Sequence, residues 1–142
     1  MDRLSKEQRH LNMASIHGKN TKPERIVRHF LFMNGFRYRD NVKNIPGHPD
    51  ILLPKYKVAV FVNGCFWHHH DSCRYATIPK TDTAYWEEKF RKNKERDQQE
   101  YQEIESIGWR VLIVWECELK TQEKREQRLK RLYYEIKGKE AL

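Results

Sequence analysis

The segment from Cys65 to Cys73 reads CFWHHHDSC and holds two thiols, three consecutive histidines and an adjacent Phe66–Trp67 pair. Thiolate sulfur and imidazole nitrogen are ligands that suit tetrahedral zinc, and four of them close a structural zinc site. Cys65, His70 and Cys73, with the distant Cys117, make such a Cys₃His set. Three cysteines fit no closed disulfide framework, which leaves metal binding or free thiols. The bland alternative is a buried core thiol at Cys117 beside a solvent-exposed histidine run. Zinc is preferred because it uses every cysteine in the chain. Spacing alone leaves open which of His68, His69 and His70 is the ligand.

A second constellation is acidic. Asp50 follows Gly47, His48 and Pro49 at the head of an apolar run. A carboxylate there holds a hard cation such as Mg²⁺ or simply caps a turn, and the residues alone do not separate the two. A histidine nearby can serve as general acid or base near neutral pH, and His68 follows the strand expected to pair with Asp50. Glu24 serves as a capping-box residue, yet it shares a helix face with Val27 and Leu31 and so points inward. Asn93 and Asp97 also fall on an inward helix stripe, where an unpaired charge is costly.

These residues need elements to position them. Ser5 to Ile16 reads as a polar helix with Ser5 and Gln8 as a capping box, followed by a breaker from His17 to Asn20. Thr21-Lys22-Pro23-Glu24 opens a second helix that ends near Asn34-Gly35. Phe36 to Asp40 is read as a strand. PDILL, PKYK and VAVFV form a hairpin that sets Asp50 opposite Phe61. Thr83 to Ile107 is a long helix stopped by Gly108, with Trp86, Phe90, Asn93, Asp97, Tyr101 and Ile104 as its stripe. WRVLIVWE is a buried strand ending at Cys117, and a charged helix with Leu129, Leu132, Tyr133 and Ile136 inward closes the chain. The order predicts a mixed α/β domain.

The chain has 142 residues, enough for one domain with one core, and a net charge of +8 that points to a polyanion, most often nucleic acid. No apolar run is long enough to cross a membrane and the N-terminus lacks a signal-peptide stretch, so a cytoplasmic protein without a membrane partner is expected.

The motifs PGHPDILLPKYKVAVFVNGCFWHHHDSC, TAYWEEKFRKNKERD and GWRVLIVWEC resemble the very short patch repair (Vsr) DNA mismatch endonucleases, from HLNMASI through Cys117. The resemblance implies one domain over residues 1–142, restriction-endonuclease-like and PD-(D/E)xK-related, with a mixed sheet flanked by helices. Residues 1–18 would be a DNA-contacting helix and 118–142 a C-terminal helix. It implies nicking of double-stranded DNA beside a T:G mismatch by a monomer with Mg²⁺, a structural zinc, mismatch-repair proteins as partners, and the bacterial cytosol or nucleoid as location. Carried over by motif, Asp50 would hold Mg²⁺ with the Val62 backbone carbonyl, and His68 would be the catalytic histidine. Glu24 and Asp97 would assist through metal-bound waters. Cys65, His70, Cys73 and Cys117 would bind zinc. Phe66, Trp67 and Trp86 would wedge into the base stack, with Met13 entering from the opposite groove. The family's familiar pattern has Thr-His where this chain has Val62-Asn63, which removes an accessory histidine. Wedging a base step costs a few kcal/mol, less at a mismatch, and a zinc-stiffened loop resists yielding. Core packing is the competing role for the three rings. Two alternatives stand beside the mismatch nickase: a same-fold nuclease acting on unmismatched DNA in a restriction or mobile-element system, and a non-catalytic zinc-stabilised nucleic-acid-binding module.

Overall fold

A computed structural model describes residues 21–40 and 45–138. The helix expected at Ser5 to Ile16, the breaker after it and the Met13 wedge lie outside the described residues. The first described helix, α1 (Lys22–Met33), begins as its capping box requires: Thr21 Oγ1 accepts the Glu24 N–H at 3.4 Å and Glu24 Oε2 accepts the Thr21 N–H at 3.1 Å. It ends at Met33, ahead of Asn34-Gly35. The strand expected over Phe36 to Asp40 shrinks to β1 (Arg39–Asp40), because its partner β2 (Ile51–Leu53) offers only three residues for pairing.

Strand β3 (Val58–Asn63) completes the hairpin, with Ile51 opposite Val60 and therefore Asp50 opposite Phe61. The next strand, β4 (Arg110–Trp115), lies parallel to β3, and Asn63 pairs with Trp115. The sheet order is β1-β2-β3-β4, antiparallel except for that last pair. Helix α2 (Thr83–Ser106) makes the crossover, and α3 (Gln122–Lys137) closes the chain. Gly108, at φ 93°, takes the left-handed position that a side chain would resist just after α2.

Period-two alternation distributes the apolar runs between two cores. Ile51, Leu53, Val58, Val60 and Val114 face α1 and α3, packing on Val27, Leu31, Leu129, Leu132 and Ile136. Leu52, Ala59 and Phe61 face α2, packing on Tyr101 and Ile104. A sheet covered on both faces needs nearly continuous apolar strands, which VAVFV supplies. Strand β4 is less buried than expected, with Val114 its one fully buried residue. The chain does not carry that strand to Cys117. It breaks at Glu116 into a 3₁₀ turn (Glu116–Leu119), held where Glu118 Oε1 accepts the Trp115 N–H at 2.8 Å. Among the described residues no helix is long and apolar enough to cross a membrane.

Candidate active site and metal centre

The register sets the site. Antiparallel pairing brings the head of β2 beside the end of β3, and parallel pairing brings the end of β4 beside it too. Asp50, Asn63 and the segments leaving β3 and β4 therefore meet at one end of the sheet. Cys65 lies two residues beyond Asn63, and Cys117 two beyond Trp115.

The loop after β3 is a single helical turn closed by His69. The His69 N–H donates to the Phe66 carbonyl at 3.2 Å and the His70 N–H to the Cys65 carbonyl at 3.0 Å, while His69 sits at φ 47°. This is a Schellman closure with histidine at the left-handed position usually given to glycine. It separates the three histidines. His68 Nδ1 lies 2.7 Å from Asp97 Oδ2. The His69 ring stacks on Phe90 with centroids 4.3 Å apart, and burial there lowers its basicity. His70 stacks on Trp115 at 4.0 Å and turns Nδ1 to the sulfurs.

Cys65, His70, Cys73 and Cys117 bring their ligand atoms within 4.8 Å of one another. His70 Nδ1 lies 3.8 Å from Cys65 Sγ and 3.5 Å from Cys117 Sγ. Bond lengths of about 2.0–2.3 Å to a tetrahedral zinc imply ligand–ligand edges of about 3.6–3.8 Å, so the donor set fits that ion. Burial raises the Cys65 thiol well above its ordinary range, so a cation is needed to hold it as thiolate. The sequence left the choice of histidine open; it is His70 that the fold gathers with the three cysteines, while His68 and His69 turn to Asp97 and Phe90.

Beside this cluster opens a cleft of about 410 Å³ lined by Asp50, Val62, Asn63, Trp67, His68, Asn93 and Asp97, among others. Asp50 Oδ2 accepts the Val62 N–H at 2.7 Å. An extended residue sends its N–H and C=O out on one edge of the strand, so the Val62 carbonyl leaves toward Asp50 as well. Burial and the adjoining Glu24 carboxyl push the Asp50 carboxyl up to about 8, against the Val62 N–H and the Arg28 charge. Glu24 is 1% exposed and 3.4 Å from Arg28. Two adjoining, largely buried carboxyls are a donor set that suits a hard divalent cation, and such an ion would add positive charge beside Arg28.

Helix α2 forms the opposite wall. Asp97 orients His68, Lys89 and Arg96 line the cleft, and Glu100 lies 3.9 Å from Arg96. Lys89 and Arg96 escaped the sequence reading, although they sit one turn from Asn93 and offer cations to a phosphate. Gly47 lets the His48-Pro49-Asp50 segment lie against this helix: its φ is 77°, and an added Cβ would meet the Glu100 Cβ at 3.0 Å. Asn63, at the position where an accessory histidine was missed, is 3% exposed and donates to the Tyr101 hydroxyl at 2.9 Å.

Phe66 is the hub of the aromatic patch, 5.2 Å from Trp67, 5.7 Å from Trp86 and 5.2 Å from Phe90 between ring centroids. Phe90 is buried beneath them, while Phe66, Trp67 and Trp86 are half-buried. The rings are neither sealed core nor free surface; they form a supported apolar edge beside the cleft.

A family model described as DNA mismatch endonuclease Vsr matches residues 1–74. The type II nicking enzyme V.NmeAIP of Neisseria meningitidis serogroup A is 52% identical over 136 residues, covering 96% of each chain. The type II nicking enzyme V.XorIIP of Xanthomonas oryzae is 43% identical, covering 92% of this chain and 96% of its own. The DNA mismatch endonuclease Vsr of Escherichia coli is 40% identical over 119 residues, covering 84% of this chain and 76% of its own.

Proposed function

The chain belongs to the Vsr family of DNA endonucleases, and from that premise we propose that it nicks one strand of double-stranded DNA beside a T:G mismatch, as a monomer. The observation that carries the reading is one cleft that joins Asp50, a His68–Asp97 pair and a supported aromatic edge. The architecture, a mixed sheet between helices with its carboxylate at a strand head, supports a restriction-endonuclease-like assignment.

Asp50 and the Val62 carbonyl would hold Mg²⁺, with Glu24 and Asp97 reached through its waters. Mg²⁺, when bound, supplies positive charge for the phosphate and a more acidic water. The chain's own residues do the rest. Asp97 accepts from His68 Nδ1, which leaves Nε2 as the basic nitrogen that takes a proton from the nucleophile. Lys89 and Arg96 hold phosphate at the cleft wall. Phe66, Trp67 and Trp86 press on the base stack, and a mismatched step yields most readily. Zinc at Cys65, His70, Cys73 and Cys117 would hold the loop against that load. Mismatch-repair proteins are the expected partners, and the bacterial cytosol, where the DNA lies, is the expected location.

A second reading, nicking of fully paired DNA, draws on the type II nicking enzymes among the relatives. Paired T:G and T:A duplexes with randomised flanks, with and without Mg²⁺, separate the two. Mg²⁺-dependent nicks confined to T:G support mismatch repair, and equal nicking of both duplexes overturns it. Binding without nicking under any divalent metal would leave only the zinc-stabilised binding module.

A further inference from the structure

Successive turns of α2 grip the loop that runs from the end of β3 to the zinc cluster. Phe90 carries Phe66 and His69 on its ring. Asn93 Nδ2 donates to the Trp67 backbone carbonyl at 3.1 Å. One turn further on, Asp97 Oδ2 meets His68 Nδ1 at 2.7 Å, and Tyr101 receives the Asn63 amide at 2.9 Å. Trp67 and His68 are neighbours in the chain, one in the aromatic edge and one in the acid–base pair. Each is tied to the same helix by its own polar residue.

We infer that Asn93 is a positioning residue that makes strand scission depend on the seating of the aromatic edge. The inference rests on the nicking reading above. Pressing Trp67 against a base stack exerts a reaction on its backbone. With its carbonyl anchored to α2, that load passes into a helix that also carries Trp86 and Asp97. Without the anchor the peptide between Trp67 and His68 keeps only the bond from the His68 N–H to the Gly64 carbonyl at 3.2 Å, and tilting about it under load draws the imidazole off Asp97. A displacement of about 1 Å at a reacting group costs on the order of a hundredfold in rate. The zinc cluster does not substitute for this bond: it would fix Cys65 and His70 on either side, the turn holds the His68 N–H on the Gly64 carbonyl, and the Trp67 carbonyl is left to Asn93. Asn93 lies on the inward stripe, is half-buried at the cleft wall, and its amide has the Trp67 carbonyl as acceptor.

Two variants test this, Asn93→Leu, of similar volume without a donor, and Asn93→Ala. Zinc per chain, melting temperature, affinity for T:G and T:A duplexes, and the single-turnover nicking rate at saturating protein are measured with Mg²⁺. Both variants should keep zinc, melting temperature and affinity for the T:A duplex. Both should lose about 10–100-fold in single-turnover rate on T:G. The downfield proton resonance of the His68–Asp97 pair in the T:G complex should broaden or vanish, a change that a merely structural role would not make. Wild-type rates in both variants overturn the inference, and so does a loss of rate that follows lost zinc or lowered melting temperature. If either variant fails to fold, the other decides alone. Failure of both to fold shows a structural role and overturns the inference. Wild-type protein is the reference: no nicking of T:G by wild type overturns the functional reading itself, and this inference with it.

Discussion

Asp50 should be a liability to the fold whenever its cation is withheld, and Asp50→Asn should expose this. The folded chain holds a proton on Asp50 up to about 8, whereas the unfolded chain releases it near 3.8. Between those values the native state binds more protons than the unfolded state, so stability falls as pH rises and levels off above about 8. At pH 7 the gap from 3.8 is roughly three pH units, or about 4 kcal/mol at ~1.4 kcal/mol per unit. Asparagine has no such cost. Its carbonyl can still accept the Val62 N–H that Asp50 takes at 2.7 Å, and its amide can donate to Glu24 in place of the carboxyl proton. For a chain of this length ~4 kcal/mol corresponds to roughly 10 °C in melting temperature. Zinc-loaded Asp50→Asn in chelator-free, Mg²⁺-free buffer at neutral pH should therefore melt higher than wild type by up to about that amount. The difference should close as pH falls toward 4. Millimolar Mg²⁺ should raise the wild-type melting temperature by mass action and leave the variant unmoved, while the variant loses nicking. A variant that melts lower than wild type in the Mg²⁺-free buffer, or that Mg²⁺ stabilises equally, would refute the argument.

Other perturbations follow from the same geometry. Cys117→Ser should lose the roughly one zinc per chain that a four-ligand site holds, with much of the thermal stability; full zinc by metal analysis in that variant contradicts the Cys₃His assignment. His68→Ala should cut nicking at least about a hundredfold with DNA binding kept, and activity there with loss in His69→Ala would mean that the wrong histidine was chosen. His69→Gly, matching the left-handed closure, should keep zinc and nicking, whereas His69→Val should cost about 1–2 kcal/mol and weaken both, read by melting and zinc content. Trp67→Ala should lose about 1–3 kcal/mol of affinity for T:G and less for T:A; equal losses with a lowered melting temperature would make the ring a packing residue.

What could be read from the chain was whatever has a period. Alternation in VAVFV assigned each strand residue to a face, and the three-to-four spacing of Trp86, Phe90, Asn93, Asp97, Tyr101 and Ile104 recovered the inner stripe of α2. The capping box at Thr21 and Glu24 was legible because both its partners lie within one turn. The hairpin register followed from loop length and placed Asp50 opposite Phe61. Contacts between a side chain and a distant backbone have no such signature. Asn93 on the Trp67 carbonyl depends on how the loop folds over the helix, which spacing does not encode. Arg128 is another case: it is 5% exposed and reaches Glu118, Glu135 and the Ile113 carbonyl, yet in the sequence it is one more charge in a charged helix. Its position four residues before Leu132 and eight before Ile136 was the available clue, since it places the cation on the buried stripe. The 3₁₀ turn at Cys117 was hidden because Glu116-Cys117-Glu118-Leu119 alternates polar and apolar residues as a strand would.

The run of three histidines now has a physical reason. A metal ligand and an acid–base residue must sit close together and yet stay apart, because a zinc-bound imidazole cannot also exchange protons at the bound nitrogen. In an extended segment, alternate side chains point the same way, and His68 and His70 would compete for one space. The turn from Cys65 with its left-handed closure at His69 breaks that alternation: it returns His70 to the cysteine that began the turn and leaves His68 facing Asp97 across the cleft. His69 is the residue that must adopt the unfavourable backbone angle, and its ring recovers part of that cost by stacking on Phe90. Phe90 in turn supports Phe66, so the closure that separates the two chemistries also stiffens the aromatic edge beside them. On the proposed reading, metal binding, proton transfer and pressure on the base stack would draw on one short turn, and a change to its backbone angle should disturb all three together.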